Sequence, residues 1–542
     1  MRKRILLLSV LLGAYAARPA SGCTNILVTK GASKDGSTII TYSVDGEFHP
    51  ILRAIPAEDH KPGEMLEIRD WHGVLRATIP QVPHTYAVCG IMNEHQLAIG
   101  ETTFDGRLEL HDKREGIPYW PLMEITLQRA RTAREAIAVM TDLVTKYGYG
   151  STGETFSIAD PNEAWILEMI GRGDGVKGAL WVAERVPDGM ICAHANKSRI
   201  GTFPLHNPAN CLYSPDVISF AIAHGYYNPK TDGPFRFCHA YCPSTPEKLR
   251  YTSTRVWSIF RRAAPSLQLS MDRNRGVAGA KPYPLWIKAD QKLSVQDVMA
   301  LMRDHYEGTP LDMTKGIDAG PFGSPMRDRP ITFTLDGQTY AWERPISTQQ
   351  TGCSYVAQMR SFLPDPVGGV LWYGVDDTYT SCYFPLYAGI SAVPPSFARG
   401  SLHRFSWDSA WWVFNLVANY AQLKYSTMVK DIVKVQRELE GNFFALQPAV
   451  EKTALDMMKS DPARAKRFLT DYSVGAGEEV FARWQELAAH LFTKYNDGYV
   501  QDDKGEPQEL SYPEEWLREV VKERPEQFKL PAQSSTQSPK SY

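Results

Sequence analysis

Between Thr24 and His194, short β-rich runs alternate with turn-forming residues, and a chain patterned this way buries its apolar side chains most readily in antiparallel sheets. Thr24 to Val28 and Ser37 to Tyr42 are separated by a segment ending in Asp35-Gly36, a turn signal. Thr155 to Ile158 and Ala164 to Glu168 flank Asp160-Pro161-Asn162, whose proline presets a turn and cannot continue a strand. Leu180 to Val186 and Met190 to His194 repeat the pattern around Pro187-Asp188-Gly189. The expectation is a long antiparallel meander.

Helices interrupt it at marked places. Thr132-Ala133-Arg134-Glu135 reads as a capping box, Ile137, Met140, Val144 and Tyr147 recur at helical spacing, and Gly148 supplies a stop. Ser294 to Asp297 starts a second helix, expected to end near Gly308. Beyond about Ser401 the pattern turns helical as far as about Tyr499, and the last ten residues have the composition of a disordered tail. Strands packed by helices make the fold class α+β, a layered sandwich, with residues 23–400 as a catalytic domain, 401–530 as a helical region packed on it and 531–542 as the tail.

The N-terminus carries the chemistry. Arg2, Lys3 and Arg4, an apolar run from Ile5 to Ala17, and Ala20-Ser21-Gly22 form an export signal over residues 1–22, with an apolar run too short to span a bilayer comfortably. Cleavage after Gly22 leaves Cys23 first, with a thiol and an α-amine whose ordinary pKa is roughly 8 on the same residue. Ala20-Ser21-Gly22-Cys23 also fits a lipoprotein signal in which that cysteine is acylated, and the cleavage-site residues leave both readings open.

The net charge of −2 and the absence of a basic block with interleaved aromatics give no case for nucleic acid. No later apolar run is long enough to span a membrane. With Cys23 set aside, the remaining seven cysteines are an odd number, so at least one is expected to be free, while their pairing is not legible. Cys238-His239-Ala240-Tyr241-Cys242 has no second Cys/His cluster to complete a metal site, so no metal or cofactor is expected. His194 and His206 read as hydrogen-bonded structural histidines.

Cys23 to Thr38 (CTNILVTKGASKDGST) resembles the mature N-terminus of C69-family dipeptidases, N-terminal nucleophile hydrolases related to choloylglycine and penicillin V amide hydrolases. Further blocks agree in order: Asn93 to Arg107, Tyr147 to Gly171, His194 to Ile200, Gly320 to Arg327 and Ala410 to Ala421. The resemblance implies a four-layered αββα fold, exposure of Cys23 by processing, and hydrolysis of dipeptides. It favours a free Cys23 over an acylated one. It also implies Asn196 as an oxyanion donor, Asp45 as the residue that holds and polarises the α-amine, and Arg255 as a cation near the thiol. A second oxyanion or substrate position falls at Thr102 or Thr103. Where many relatives have arginine, this chain has Tyr42, which offers a hydroxyl and no fixed charge.

The leading expectation is an exported cysteine dipeptidase acting on short unblocked peptides, located in the periplasm, at the cell surface or outside the cell, with a homo-oligomer left open. The same fold also serves amidases of N-acyl amino acids, bile-salt conjugates or penicillin-like amides. A lipid-anchored peptide-binding protein is the reading from another class.

Overall fold

A computed structural model describes residues 22–46 and 48–530. The signal proposed for 1–22 therefore lies outside it except for Gly22, as does the tail at 531–542.

Two antiparallel sheets form the centre. The first has seven strands in the order Trp286–Ile287, Ile191–His194, Asn25–Val28, Thr38–Asp45, Thr351–Met359, Val370–Val375 and Phe384–Tyr387. The second has eight, in the order Cys211–Tyr213, Leu180–Arg185, Ala164–Ile170, Gly153–Ala159, Ala98–Asp105, Met92–Asn93, Val88–Cys89 and Ala54–Ile55. Thr38–Asp45 packs against Ala98–Asp105 and Gly153–Ala159, which brings the two sheets into contact. Both are buried so thoroughly that Asn25–Val28, Gly153–Ala159 and Ala164–Ile170 have no exposed position. That explains why these strands read as near-continuous apolar and small-polar runs, not as a simple alternation.

Most turns form as the sequence indicates. Asp160 closes its hairpin by accepting from the Asn162 and Glu163 N–H groups at 2.7 and 2.9 Å. The hairpin expected around Pro187-Asp188-Gly189 does not form. Leu180–Arg185 stays in the eight-stranded sheet while Ile191–His194 joins the other, beside Asn25–Val28. The turn is pulled across because Asp188 Oδ1 accepts from the Gly31 N–H at 2.7 Å and the Met190 carbonyl accepts from Thr29 Oγ1 at 2.9 Å.

The helix Ala133–Tyr147 starts at Thr132, whose side chain accepts from the Glu135 N–H, and stops at Gly148 with φ 87°. The Glu135 carboxylate reaches back to the Arg131 N–H, one residue earlier than a capping box requires. The helix Val295–Met302 has the complete box at Ser294 and Asp297 but ends well before Gly308. Its chain turns at Asp304, buried against Ser258 and Arg262, and Tyr306 takes a left-handed conformation.

Helices contact both sheets. Tyr119–Leu127 and Ala133–Tyr147 meet the eight-stranded sheet, while Pro246–Ala263 and Val295–Met302 meet the seven-stranded one. The C-terminal helices Ala410–Ala421, Tyr425–Met458 and Pro462–Lys494 also lie on the seven-stranded sheet. Trp372 stacks on Phe444 at 4.3 Å between ring centroids and Phe414 on Trp484 at 4.5 Å, which joins these helices to the core. Gly477 permits the closest approach: a Cβ there would fall 2.2 Å from the Pro394 ring. Among the described residues no helix is long and apolar enough to cross a membrane.

Candidate active site

Strand register assembles the site. Asn25 lies opposite His194, so two residues further out Asn196 comes level with Cys23. Thr24 bridges Ser43 on the other side, and the Gly22 N–H donates to the Asp45 carbonyl at 3.1 Å. Cys23 and Gly22 therefore sit between Asn196 and Asp45 at one end of the seven-stranded sheet.

The backbone nitrogen of Cys23 donates to Asn196 Oδ1 at 3.0 Å. The same oxygen accepts from Arg255 Nη2 at 2.8 Å and Arg344 Nη1 at 3.2 Å, while Asn196 Nδ2 donates to the Thr103 carbonyl at 2.7 Å. Asn196 has φ 54°, a left-handed conformation that asparagine tolerates better than most residues. In this arrangement its carboxamide holds the Cys23 nitrogen, and its donor nitrogen is already engaged by Thr103. Thr103, not Thr102, is thus the neighbour of Asn196. Thr102 pairs with His194 Nδ1 at 2.7 Å, and His194 Nε2 pairs with Ser157 at 2.7 Å, which fixes a buried neutral structural imidazole. His206 is exposed and has no such role.

Arg255 is fully buried on the helix Pro246–Ala263 and directs Nη1 to the Cys23 carbonyl at 2.7 Å and to Thr24 Oγ1 at 2.9 Å. Its donors go to the backbone of Cys23 and to Asn196, so it positions the strand start. Burial, then repulsion from Arg344, pulls its pKa down to about 9. Asp45 Oδ2 pairs with Arg344 Nη2 at 2.7 Å, and Oδ1 accepts from Thr351 Oγ1 at 2.7 Å. Burial pushes the Asp45 carboxyl up despite Arg344, Thr351 and Arg255. Arg344 Nη2 also donates to the Gly22 carbonyl at 2.6 Å. A Cβ on Gly22 would collide with that guanidinium, so glycine alone fits this approach.

The Cys23 thiol donates to Glu101 Oε1 at 3.6 Å, and the Tyr42 hydroxyl donates to the same oxygen at 2.5 Å. Glu101 faces Glu154, itself bound by Thr103 Oγ1 at 3.0 Å, and both carboxyls are fully enclosed. Burial raises each, and two adjacent buried carboxyls cannot both ionise, so the pair shares a proton. Their second oxygens have no other partner. Burial, then the charges of Glu101 and Asp45, push the Cys23 thiol well above its ordinary value, while Arg344 acts in the opposite sense. The thiol is therefore neutral as it stands, and an adjacent base is needed to make it a nucleophile.

Cys23 and Asp45 open onto a cavity of about 1170 Å³ whose walls include Trp71, Tyr119, Arg329, Arg344 and Trp411. Arg329 donates to Gln350 Oε1 at 3.1 Å and, unlike Arg344, makes no close ion pair among the described residues, although the Asp45 charge acts on it from further off. Burial, then Arg344, lowers its pKa to about 10, so it remains a cation at neutral pH. All eight cysteines are free and buried. Burial holds Cys89, Cys192 and Cys353 near 12 as inert core thiols. Among the described residues no cluster of three or more His, Cys, Asp or Glu is placed to hold a metal.

The profile of peptidase family C69 matches residues 55–438. The chain belongs to peptidase family C69. It is accordingly a peptide-bond hydrolase. The C69 match covers Asn196, Arg255, Arg329 and Arg344 but begins downstream of Cys23 and Asp45. Among curated proteins, the chain is 25% identical over 493 residues to a probable dipeptidase of Latilactobacillus sakei, covering 88% of this chain and 94% of that one. A probable dipeptidase of Salmonella dublin is 27% identical over 407 residues, covering 70% and 84%. Probable dipeptidase A of Streptococcus pyogenes serotype M3 is 25% identical over 502 residues, covering 87% and 98%.

Glu101, Glu154, Arg329, Arg344 and Thr351 are the residues that sequence reasoning missed. Glu101 sits inside the Asn93 to Arg107 block, directly before the pair Thr102-Thr103, so a buried acid in a strand was the available signal. Arg329 and Arg344 lie in irregular segments flanking the hairpin Thr332–Leu335 and Gln338–Ala341, where no periodicity marks them.

Proposed function

We propose that this C69 peptidase is an exported cysteine dipeptidase in which Cys23, freed of residues 1–22, is both nucleophile and base. The observation that carries the reading is the Cys23 thiol on the wall of the large cavity with its own nitrogen held by Asn196 at 3.0 Å. Removing Gly22 turns that nitrogen into a primary amine. The amine takes the thiol proton and Sγ bonds to the scissile carbonyl carbon. As the C–N bond breaks, the amine passes the proton to the leaving nitrogen, giving a thioester. Water then adds to the thioester carbonyl, its proton returns through the amine to sulfur, and the acid product departs. The sheet and helix contacts support a four-layered αββα sandwich, with residues 401–530 as a helical region packed on the catalytic domain.

Two charges favour short unblocked peptides. In a dipeptide the free ammonium is two bonds from the scissile carbonyl, so the negative charge of the Glu101–Glu154 pair beside the thiol favours it. Arg329, without a carboxylate of its own, suits the free C-terminal carboxylate. The names of the relatives point the same way.

Intact mass and N-terminal sequence of protein from an exporting host, followed by hydrolysis of free and N-acetylated dipeptides, test this. A free Cys23 amine, preference for the free peptides and loss of turnover in Cys23→Ala are expected. A lipidated Cys23 or an active Cys23→Ala would overturn the mechanism, and preference for N-acylated substrates would favour the amidase reading.

A further inference from the structure

Behind Asn196 and Arg255 lies a second cavity of about 430 Å³ that the proposed reaction does not use. Lys197, Arg199, Arg236, His239 and Arg273 line it, and no aspartate or glutamate does. None of the four Lys/Arg side chains makes an ion pair among the described residues. Arg199 spends its donors on the carbonyls of Ala193, Tyr283, Pro284 and Leu285. Lys197 donates to Ser244 Oγ, and Arg273 to the Ala280 carbonyl at 3.4 Å. Among the described residues Arg236 makes no side-chain hydrogen bond, and its buried Nε has no partner. Glu168, whose charge reaches the lining residues Cys238 and Cys242, accepts from Ser198 Oγ and from the Arg199 and Ile200 N–H groups, and burial lifts it to about 7, so much of its charge is gone at neutral pH. Burial, then Arg236, Lys197 and Arg273, lowers the His239 pKa, which places three cations around one ring.

Like charges gathered around one solvent-open cavity that no carboxylate lines repel one another and attract a counter-charge. We infer that this cavity binds a small oxyanion, a phosphate or a carboxylate, against Arg236, Arg273 and Lys197. Such an occupant would touch Lys197, next to Asn196, and Ser253 and Val256 on the helix that carries Arg255. The inference does not depend on the dipeptidase reading.

Titration calorimetry and thermal denaturation of the full chain with inorganic phosphate and with succinate, using chloride at matched ionic strength as the control, test it. Expected is saturable binding of at least one oxyanion with Kd below about 1 mM, accompanied by a rise in Tm that chloride does not reproduce. Phosphate alone or succinate alone binding identifies the source. Arg236→Gln and Arg273→Gln should each weaken binding about tenfold or more, while Arg329→Ala in the catalytic cavity should leave it intact. Absence of saturable binding to the unaltered protein overturns the inference whatever the variants do. So does binding that survives both glutamine substitutions or is lost with Arg329→Ala.

Discussion

The Asn196 carboxamide oxygen accepts from the backbone nitrogen of Cys23 at 3.0 Å across 173 residues of sequence, and it is the point where Arg255 and Arg344 also converge. One acceptor therefore fixes the nitrogen proposed as base and the two guanidinium groups that surround it. Its removal leaves two buried cations without their shared acceptor.

Asn196→Gly is the informative substitution, because glycine keeps the left-handed backbone at φ 54° that alanine would strain. With the base nitrogen of Cys23 no longer held in place, the expected outcome is a fall in kcat of about 10²-fold with little change in KM. Steady-state kinetics beside a thermal melt checks it. A variant that retains kcat shows that Asn196 serves the fold alone.

Arg329→Ala removes a cavity cation that has no carboxylate of its own. If it meets the substrate carboxylate, KM for a free dipeptide should rise about 10- to 100-fold, the range of a charge-assisted hydrogen bond. KM for the matching dipeptide amide should barely move. Equal effects on both substrates would mean that Arg329 supports the cavity wall without contacting that terminus.

The Cys23–Asn196 pairing shows what the sequence made legible. Strand runs and the Asp160 turn could be read locally, and antiparallel register then converts Asn25 opposite His194 into Asn196 beside Cys23. The sheet exchange at Pro187-Asp188-Gly189 was not legible, because it depends on the Gly31 N–H finding Asp188, a contact between segments distant in sequence. Arg344 was hidden for a similar reason. Its partners Asp45 and Gly22 lie about 300 residues away, and nothing local distinguishes it from a surface arginine.

Glu101→Gln tests the acid beside the thiol. The Glu101 charge is one of the causes that raise the Cys23 pKa, so neutralising it lowers that pKa. The pH profile of iodoacetamide alkylation at Cys23 should therefore shift to lower pH, with burial still holding the thiol up. Hydrolysis of free dipeptides should fall relative to N-acetylated ones if the charge also favours the ammonium. An alkylation profile that stays put would show that Glu154 carries the pair's charge.

Asp376 offers a pH-dependent test of stability. It follows the strand Val370–Val375 at φ 65°, Oδ1 accepts from Asn415 Nδ2 at 3.1 Å, and the buried Oδ2 has no partner. Burial lifts its pKa to about 8, with Asn415 pulling it down and Asp377 pushing it up. The folded chain thus keeps a proton that the unfolded chain gives up above its ordinary carboxylate pKa of about 4. Between about pH 4 and 8 the native state binds more protons than the unfolded state, so this residue makes stability fall as pH rises and level off above 8. An asparagine side chain in its place would preserve the shape, the left-handed backbone and the acceptor for Asn415 while removing the titration. Asp376→Asn should therefore leave stability nearly unchanged at pH 4 and raise it progressively by pH 8, by up to the roughly 5 kcal/mol that lifting a carboxyl pKa from about 4 to about 8 represents. Urea unfolding at pH 4, 6 and 8 measures this, and a gain that is the same at every pH would show that the carboxyl is not the titrating group.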